Sequence, residues 1–262
     1  MKIVVCVKQV LDPRGITVNR KAEKVFINRE DYILDPSSQA ALQVAAAIKA
    51  NAPSSNGSGP VEIVAMSLGP ERVDAALREA LAFGADQAIW LKDAAFDKAD
   101  ALVVANALAA AIDKVGAVDL VLLGARSLDA GSGELAGRLA EALDLPIVAD
   151  MVSVEVRAGR SRVAGVRQSG DAFVRAEAKL PAVASIVPEA FERGHANGWR
   201  LMDAYKKWTV DAWSAADLEL SEDDLRPMAA KKEDAFPPER QLGTKVKDAK
   251  ELAALLKRER VI

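Results

Sequence analysis

The residues best suited to chemistry lie in one stretch, Gly124-Ala125-Arg126-Ser127-Leu128-Asp129-Ala130-Gly131-Ser132-Gly133-Glu134-Leu135. It leaves an apolar run, Asp119 to Leu123, and opens a helix-like run that continues to Leu143. Glycines let the backbone approach a ligand, and amides at a helix start attract anions. In open α/β sheets, ligands gather at such strand ends. An anion-binding loop and an ordinary glycine-rich turn both satisfy the pattern. Gly131, Gly133 and Gly137 do not have the spacing of a dinucleotide fingerprint, and no ribose-binding acid ends a strand about 20 residues on. No Gly-Lys-Ser/Thr follows, so the stretch is not a P-loop. A nicotinamide dehydrogenase or an ATPase is disfavoured.

No catalytic residue stands out elsewhere. His195, the single histidine, sits among Glu192, Arg193 and Asn197. With no positioned second group it reads as a surface or partner-contact residue rather than a general base. Cys6, the single cysteine, lies in an apolar run and behaves as a small hydrophobe. One cysteine and one histidine rule out an internal disulfide, a cysteine-ligated metal and a histidine cluster in this chain. Ser132 has neither a paired base nor a nucleophile elbow. Trp199, Tyr205, Trp208 and Trp213, four of the chain's twelve aromatics, fall within fifteen residues among Arg200, Lys206 and Lys207. Such residues anchor interfaces, unless they pack on their own domain. A net charge of −3 disfavours nucleic acid.

The elements that must position these residues follow from composition and period. Half of the 262 residues are hydrophobic but only 5% are aromatic, so the core is built from Ala, Val, Leu and Ile. Strands are expected at Lys2–Val7, Val61–Met66, Gln87–Leu91, Asp119–Leu123 and Pro146–Ala149. Helices are expected after Asp35-Pro36, from Pro70 to Phe83, from Asp100 to Val115 and after the glycine-rich stretch. This alternation indicates a doubly wound parallel α/β sheet. Residues 12–31 read as turn-rich, and residues 52–60 as a surface loop. From Met151 an antiparallel excursion begins, turning at Ala158-Gly159-Arg160, and one more buried strand follows at Ala182–Val187. The resulting division is 1–190 as a parallel α/β domain, 191–216 as a contact loop and 217–262 as an extended arm ending in an amphipathic helix, Asp248–Arg258. No apolar run approaches a membrane span. With a strand pattern opening at Met1, the expectation is a cytoplasmic protein.

Several segments, in the same order, resemble the β subunit of electron-transfer flavoproteins: Lys2 to Val10, Asp35-Pro36-Ser37-Ser38, Met66-Ser67-Leu68-Gly69-Pro70, Leu81 to Asp86, Asp119 to Gly124, Lys179 to Val183, and Gly243 to Asp248. The resemblance spans nearly the whole chain. It implies an adenine-nucleotide-hydrolase-like Rossmann domain, FAD held mainly by an α subunit, and AMP in this chain. It also implies a flavin-dependent dehydrogenase as electron donor and a quinone oxidoreductase as acceptor, with no catalytic residue and no metal here. The matching nucleotide positions are Cys6, Asp35, Pro36, Ser37, Ser38, Leu68 and Gly124 to Leu135. His195, Trp199, Leu201 and Met202 lie in the stretch that stands where the family has its partner-recognition loop, and Leu201-Met202 fit its second half.

Departures from the family pattern set further expectations. Arg126 stands for a glutamine, Glu134 for another, and Asp35 for an asparagine. The Glu134 carboxylate is expected to repel a phosphate, with Arg126 as the offsetting charge. Gly198-Trp199 stands where the family has a leucine anchor and proline, and Gly194 and Gly198 are expected to leave that stretch free to adapt. Two alternatives stand beside the electron-carrier reading. One is an electron-bifurcating version with FAD in this chain. The other is a nucleotide-binding stress-type protein without a redox role.

Overall fold

The computed structural model describes residues 1–52, 59–157, 161–192, 194–229, 235–238 and 243–262. Most of the expected loop 52–60, the turn at Ala158-Gly159-Arg160, Arg193 and parts of the expected arm lie outside the described residues. Two units are distinguished: residues 1–17 with 26–230, and residues 18–25 with 231–262.

The first unit is organised by strands whose side chains face alternately up and down. They are Lys2–Cys6 (β1), Gln9–Leu11 (β2), Ile16–Asn19 (β3), Lys24–Ile27 (β4) and Tyr32–Leu34 (β5), with β3 and β4 reaching into the second unit. Helix Pro36–Ala50 (α1) leads to strand Glu62–Leu68 (β6), helix Val73–Phe83 (α2) to strand Gln87–Leu91 (β7), and helix Ala101–Val115 (α3) to strand Leu120–Gly124 (β8). Then come helix Leu135–Ala142 (α4) and strands Ile147–Val156 (β9), Arg162–Ser169 (β10), Ala172–Lys179 (β11) and Ala182–Ile186 (β12). Helix Gly198–Lys206 (α5) and strand Asp211–Trp213 (β13) follow. The main sheet has the order β11-β10-β9-β12-β8-β1-β6-β7-β13. Only the β9–β10 and β10–β11 pairs are antiparallel.

Both faces of the parallel part are covered, which makes the fold a doubly wound, Rossmann-like α/β sheet. Ile3, Val5 and Val7 pack with α1 and α2, while Val4 and Cys6 pack with α3 and α4. Leu120 and Leu122 against Val121 and Leu123 repeat the alternation on β8. Burying one such aliphatic side chain contributes about 1.5–3 kcal/mol. The chain runs outward from β1 through β6 to β7, then returns to place β8 on β1's other side. That reversal, beside the carboxyl end of β1, opens a crevice in folds of this kind.

Three expectations about local structure are corrected. Residues 12–31 hold the two-stranded sheet β3–β4, whose side chains are almost all exposed and so carry no burial period. β2 and β5 pair antiparallel as Gln9↔Leu34, Val10↔Ile33 and Leu11↔Tyr32. The fifth strand does not stop at Ala149, because β9 continues to Val156, with Asp150 at φ 57. Residues 217–229, expected to leave the core, belong to the first unit. There Leu218 is buried, Lys114 Nζ donates to Asp217 O at 2.6 Å, and the Met228 and Ala229 amides donate to Asp100 Oδ2 at 2.8 and 2.9 Å. The second unit carries helix Ala249–Arg258 (α6), whose first turn is capped when Asp248 accepts from the Glu251 amide at 2.8 Å.

Candidate functional site

Asp35 organises the crevice. Its Oδ1 caps α1 by accepting from the Ser37 and Ser38 amides at 2.9 and 3.4 Å. Such a cap contributes about 1 kcal/mol. Its Oδ2 reaches across to the glycine-rich loop and accepts from the Leu128 amide at 2.7 Å. Neighbouring side chains add a second tie to the loop and one to the end of β1. Ser37 Oγ donates to Arg126 O at 2.6 Å, and Ser38 Oγ accepts from the Lys8 amide at 3.0 Å. Gly124 makes this approach feasible, because a Cβ there would run into the Ser37 backbone and Cβ.

The strand ends of β1, β6 and β8, the start of α1 and the loop before α4 enclose a cavity of about 370 Å³. Drug-sized ligands occupy pockets of roughly 300–1,000 Å³. Among the expected binding positions, Cys6, Asp35, Ser38, Leu68, Gly124 to Ser127, Ala130 and Ser132 to Leu135 line it. Pro36, Ser37, Leu128 and Gly131 line a larger neighbouring cavity of about 900 Å³ that shares Asp35, Ala125, Arg126 and Ser127 as wall. Asp129 lines neither. Sequence reasoning missed Lys8, Ser67 and Asp100 on the smaller cavity's wall. Asp100 was legible only as a helix cap, and Lys8 only as part of the opening strand.

The charges around this cavity are mostly spent. Asp35 accepts three backbone amides, and Asp100 accepts four. Lys8 Nζ pairs with Asp129 at 2.7 Å. Burial would raise the Asp129 carboxyl, but Lys8, Ser127 and its neighbouring amide hold it below the usual carboxylate range. The Glu134 carboxylate, expected to repel a phosphate, is paired with Arg138, one turn along α4, at 2.9 and 3.0 Å. The Arg126 guanidinium has no hydrogen-bond or ion-pair partner among the described residues. It lies against Gly133, where a Cβ would come within 3.3 Å of Arg126 Cγ and Nε and where φ is +71°. No side chain caps α4, and the Ser132 and Gly133 amides bond no acceptor among the described residues. One unpaired cation beside uncapped amides favours an anionic group.

Cys6 is buried, and burial pushes its thiol up to about 12. It is a neutral wall atom here, not a nucleophile. Among the described residues, no group of three or more His, Cys, Asp or Glu could hold a metal ion, and no helix is long and apolar enough to cross a membrane.

The second expected set lies on α5. Asn197 caps this helix by accepting from the Trp199 and Arg200 amides at 3.0 and 3.3 Å. Two arginines pin the helix to α2. Arg200 donates to Leu81 O and Ala82 O at 3.0 and 3.2 Å, and Arg78 donates to Ala204 O and to Trp208 O. Trp199 is 78% exposed and Met202 47%, while Leu201 is half-buried. His195 is exposed at the rim of a separate cleft that Leu201 also lines. The stretch is less free than its glycines suggested. Gly194 O accepts from Gln39 at 2.9 Å, a Cβ on Gly194 would strike the Gln43 amide, and Gly198 is the first helical residue.

Comparison with known proteins gives a consistent result. Residues 24–218 match the electron transfer flavoprotein domain family. The chain is 32% identical over 221 residues to the caffeyl-CoA reductase–Etf complex subunit CarD of Acetobacterium woodii, covering 84% of this chain and 81% of that protein. It is 30% identical over 225 residues to the electron transfer flavoprotein subunit beta of Thermoanaerobacterium thermosaccharolyticum, covering 86% and 83%. Protein FixA of Rhizobium meliloti is 31% identical over 233 residues, covering 85% and 75%.

Proposed function

The chain belongs to the electron transfer flavoprotein family, of the β-subunit type, and from that premise we propose that it is the non-catalytic half of a heterodimeric electron carrier. The α subunit holds FAD, which supplies the group that takes up and releases electrons. This chain binds AMP in the 370 Å³ cavity. The observation carrying that reading is the unpaired Arg126 guanidinium lying against Gly133, beside unbonded loop amides and the uncapped start of α4. Arg126 holds the phosphate, Gly133 keeps the loop clear of its side chain, and Asp35 fixes the loop to α1. The donor is a flavin-dependent dehydrogenase docked on the Trp199 face of α5, and the acceptor is a quinone oxidoreductase. The carrier works in the cytoplasm.

A second reading has one observation in its favour. The two cavities share Asp35, Ala125, Arg126 and Ser127, so a dinucleotide held by Arg126 has room on both sides of the loop. FAD in this chain would make the protein the bifurcating kind. Family membership leaves the stress-type reading without support. The test is to purify the chain with its partner, score flavins per heterodimer by absorbance, and identify released nucleotides by mass spectrometry. One flavin and one AMP is expected. Two flavins would favour the second reading, and a preparation with no flavin and no partner subunit would sink both.

A further inference from the structure

A second cleft lies away from the nucleotide cavity. It has a volume of about 330 Å³ and is walled by Gln9, Tyr32 and Leu34 from β2 and β5, by Ala75, Ala76 and Glu79 from α2, and by His195, Ala196, Leu201 and Tyr205 from the α5 region. Its polar groups are mismatched. The Glu79 carboxylate is half-buried and has no donor among the described residues. Gln9 Nε2 donates to Arg72 O at 2.8 Å, and its buried Oε1 finds no donor. The nearby arginines do not relieve this. Arg72 is stacked over the Tyr32 ring at 4.4 Å, and Arg78 is spent on Asp74 at 2.7 Å and on the carbonyls of Ala204 and Trp208. Desolvation accordingly raises the Glu79 carboxyl, with no cation opposing it.

We propose that this cleft receives the guanidinium of an arginine side chain from the protein that docks on α5. A carboxylate without a donor, in a cleft flanked by aromatic rings, calls for a planar cation with several N–H groups. A half-buried carboxylate left unpaired is costly, so a donor reaching Glu79 recovers that cost on binding. The apolar contact that would flank such an arginine is present. Trp199, Met202 and Tyr205 are exposed at three-residue steps along α5, and Tyr205 is also a wall of the cleft. The inference rests on the reading of α5 as a docking face, and it adds the chemistry of the partner residue.

The chain's only histidine and both of its tyrosines line this cleft, so their signals respond when it is filled. The full chain, labelled at Tyr and His and assembled with its unlabelled partner subunit, would be titrated with ethylguanidinium and, separately, with neutral ethylurea. Saturable shifts of the His195 and tyrosine signals are expected with ethylguanidinium only, and Glu79→Gln should weaken the binding roughly tenfold, the worth of a charged hydrogen bond. Equal response to ethylurea, no saturable shift, or a response unchanged in Glu79→Gln would each overturn the proposal. These signals are read whether or not the protein carries electrons. Flavin content, scored on the same sample, reports separately on the functional reading.

Discussion

The Asp35 carboxylate and the Leu128 amide, 93 positions apart, meet at 2.7 Å. This bond joins the first turn of α1 to the glycine-rich loop, and the same carboxylate caps the helix through its other oxygen. Asp35→Asn separates the two jobs. The amide oxygen keeps the cap, but an N–H group then faces the Leu128 N–H. Leaving that part-buried donor unpaired should cost on the order of 1 kcal/mol. Urea unfolding should show the loss, and AMP binding should weaken with the loosened loop. An unchanged urea midpoint would mean that the loop is held by its other ties, Ser37 to Arg126 and Lys8 to Asp129.

Arg126 and Glu134 should behave differently on substitution. Arg126→Ala removes the unpaired cation of the cavity and should weaken AMP binding at least about tenfold, the worth of one charged hydrogen bond. Glu134→Gln breaks only the pair with Arg138, of a kind worth about 0–1 kcal/mol, so affinity should stay within about threefold. Calorimetric titration of nucleotide-free protein with AMP measures both. The reverse ranking would put the Glu134 carboxylate, not the Arg126 cation, in control of the site.

Cys6 should resist alkylation. Its folded-state thiol is raised to about 12, so it stays protonated at every pH below that and gains thiolate only above it. At pH 8 iodoacetamide should label the native protein only as fast as it unfolds, and urea should release the reaction. Rapid labelling of folded protein at pH 8 would show that the cavity opens down to β1.

Truncation should divide the C-terminal region near Ala230. Ending the chain at residue 216 removes Leu218 from the core and the Met228 and Ala229 amides from Asp100. Ending it at residue 230 keeps the whole first unit and removes only the later residues with α6. The 1–230 chain should keep its thermal midpoint and pair more weakly with the α subunit, while the 1–216 chain should lose stability as well. Size-exclusion with the co-expressed partner and thermal denaturation separate these effects. Undiminished pairing by the 1–230 chain would remove α6 from the interface.

Much of this architecture was legible because burial imposes a period. The strands around β1 alternate between two helix layers, and Asp35 and Asp100 announce their helices by capping them. What escaped has a physical reason. β3 and β4 are short and exposed, so neither face selects residue types. The polar composition of 217–229 hid a few decisive contacts, a buried leucine and two amides on one carboxylate. At the site, residue types were readable but pairing was not. Glu134 looked like a charge aimed at the ligand, yet Arg138 stands four residues on, at the spacing that lets one helical turn neutralise it.

Trp199 should anchor the electron donor. It is the most exposed tryptophan-sized surface on α5, 78% open to solvent, while the helix beneath it is fixed to α2 by Arg78 and Arg200. A large aromatic on a rigid support loses little freedom on docking, which is what lets a contact residue dominate an interface. Truncating such an anchor costs about 2 kcal/mol or more, roughly a thirtyfold loss of affinity. Trp199→Ala leaves the Asn197 cap and both arginine clamps intact, so the fold, the flavin content and the pairing with the α subunit should not change. Stopped-flow reduction of the flavin over a range of donor concentrations measures the effect. The rate at saturation should hold while the concentration needed to reach it rises about thirtyfold. The same concentration dependence in wild type and variant would place the anchor elsewhere and leave Trp199 without a part in docking.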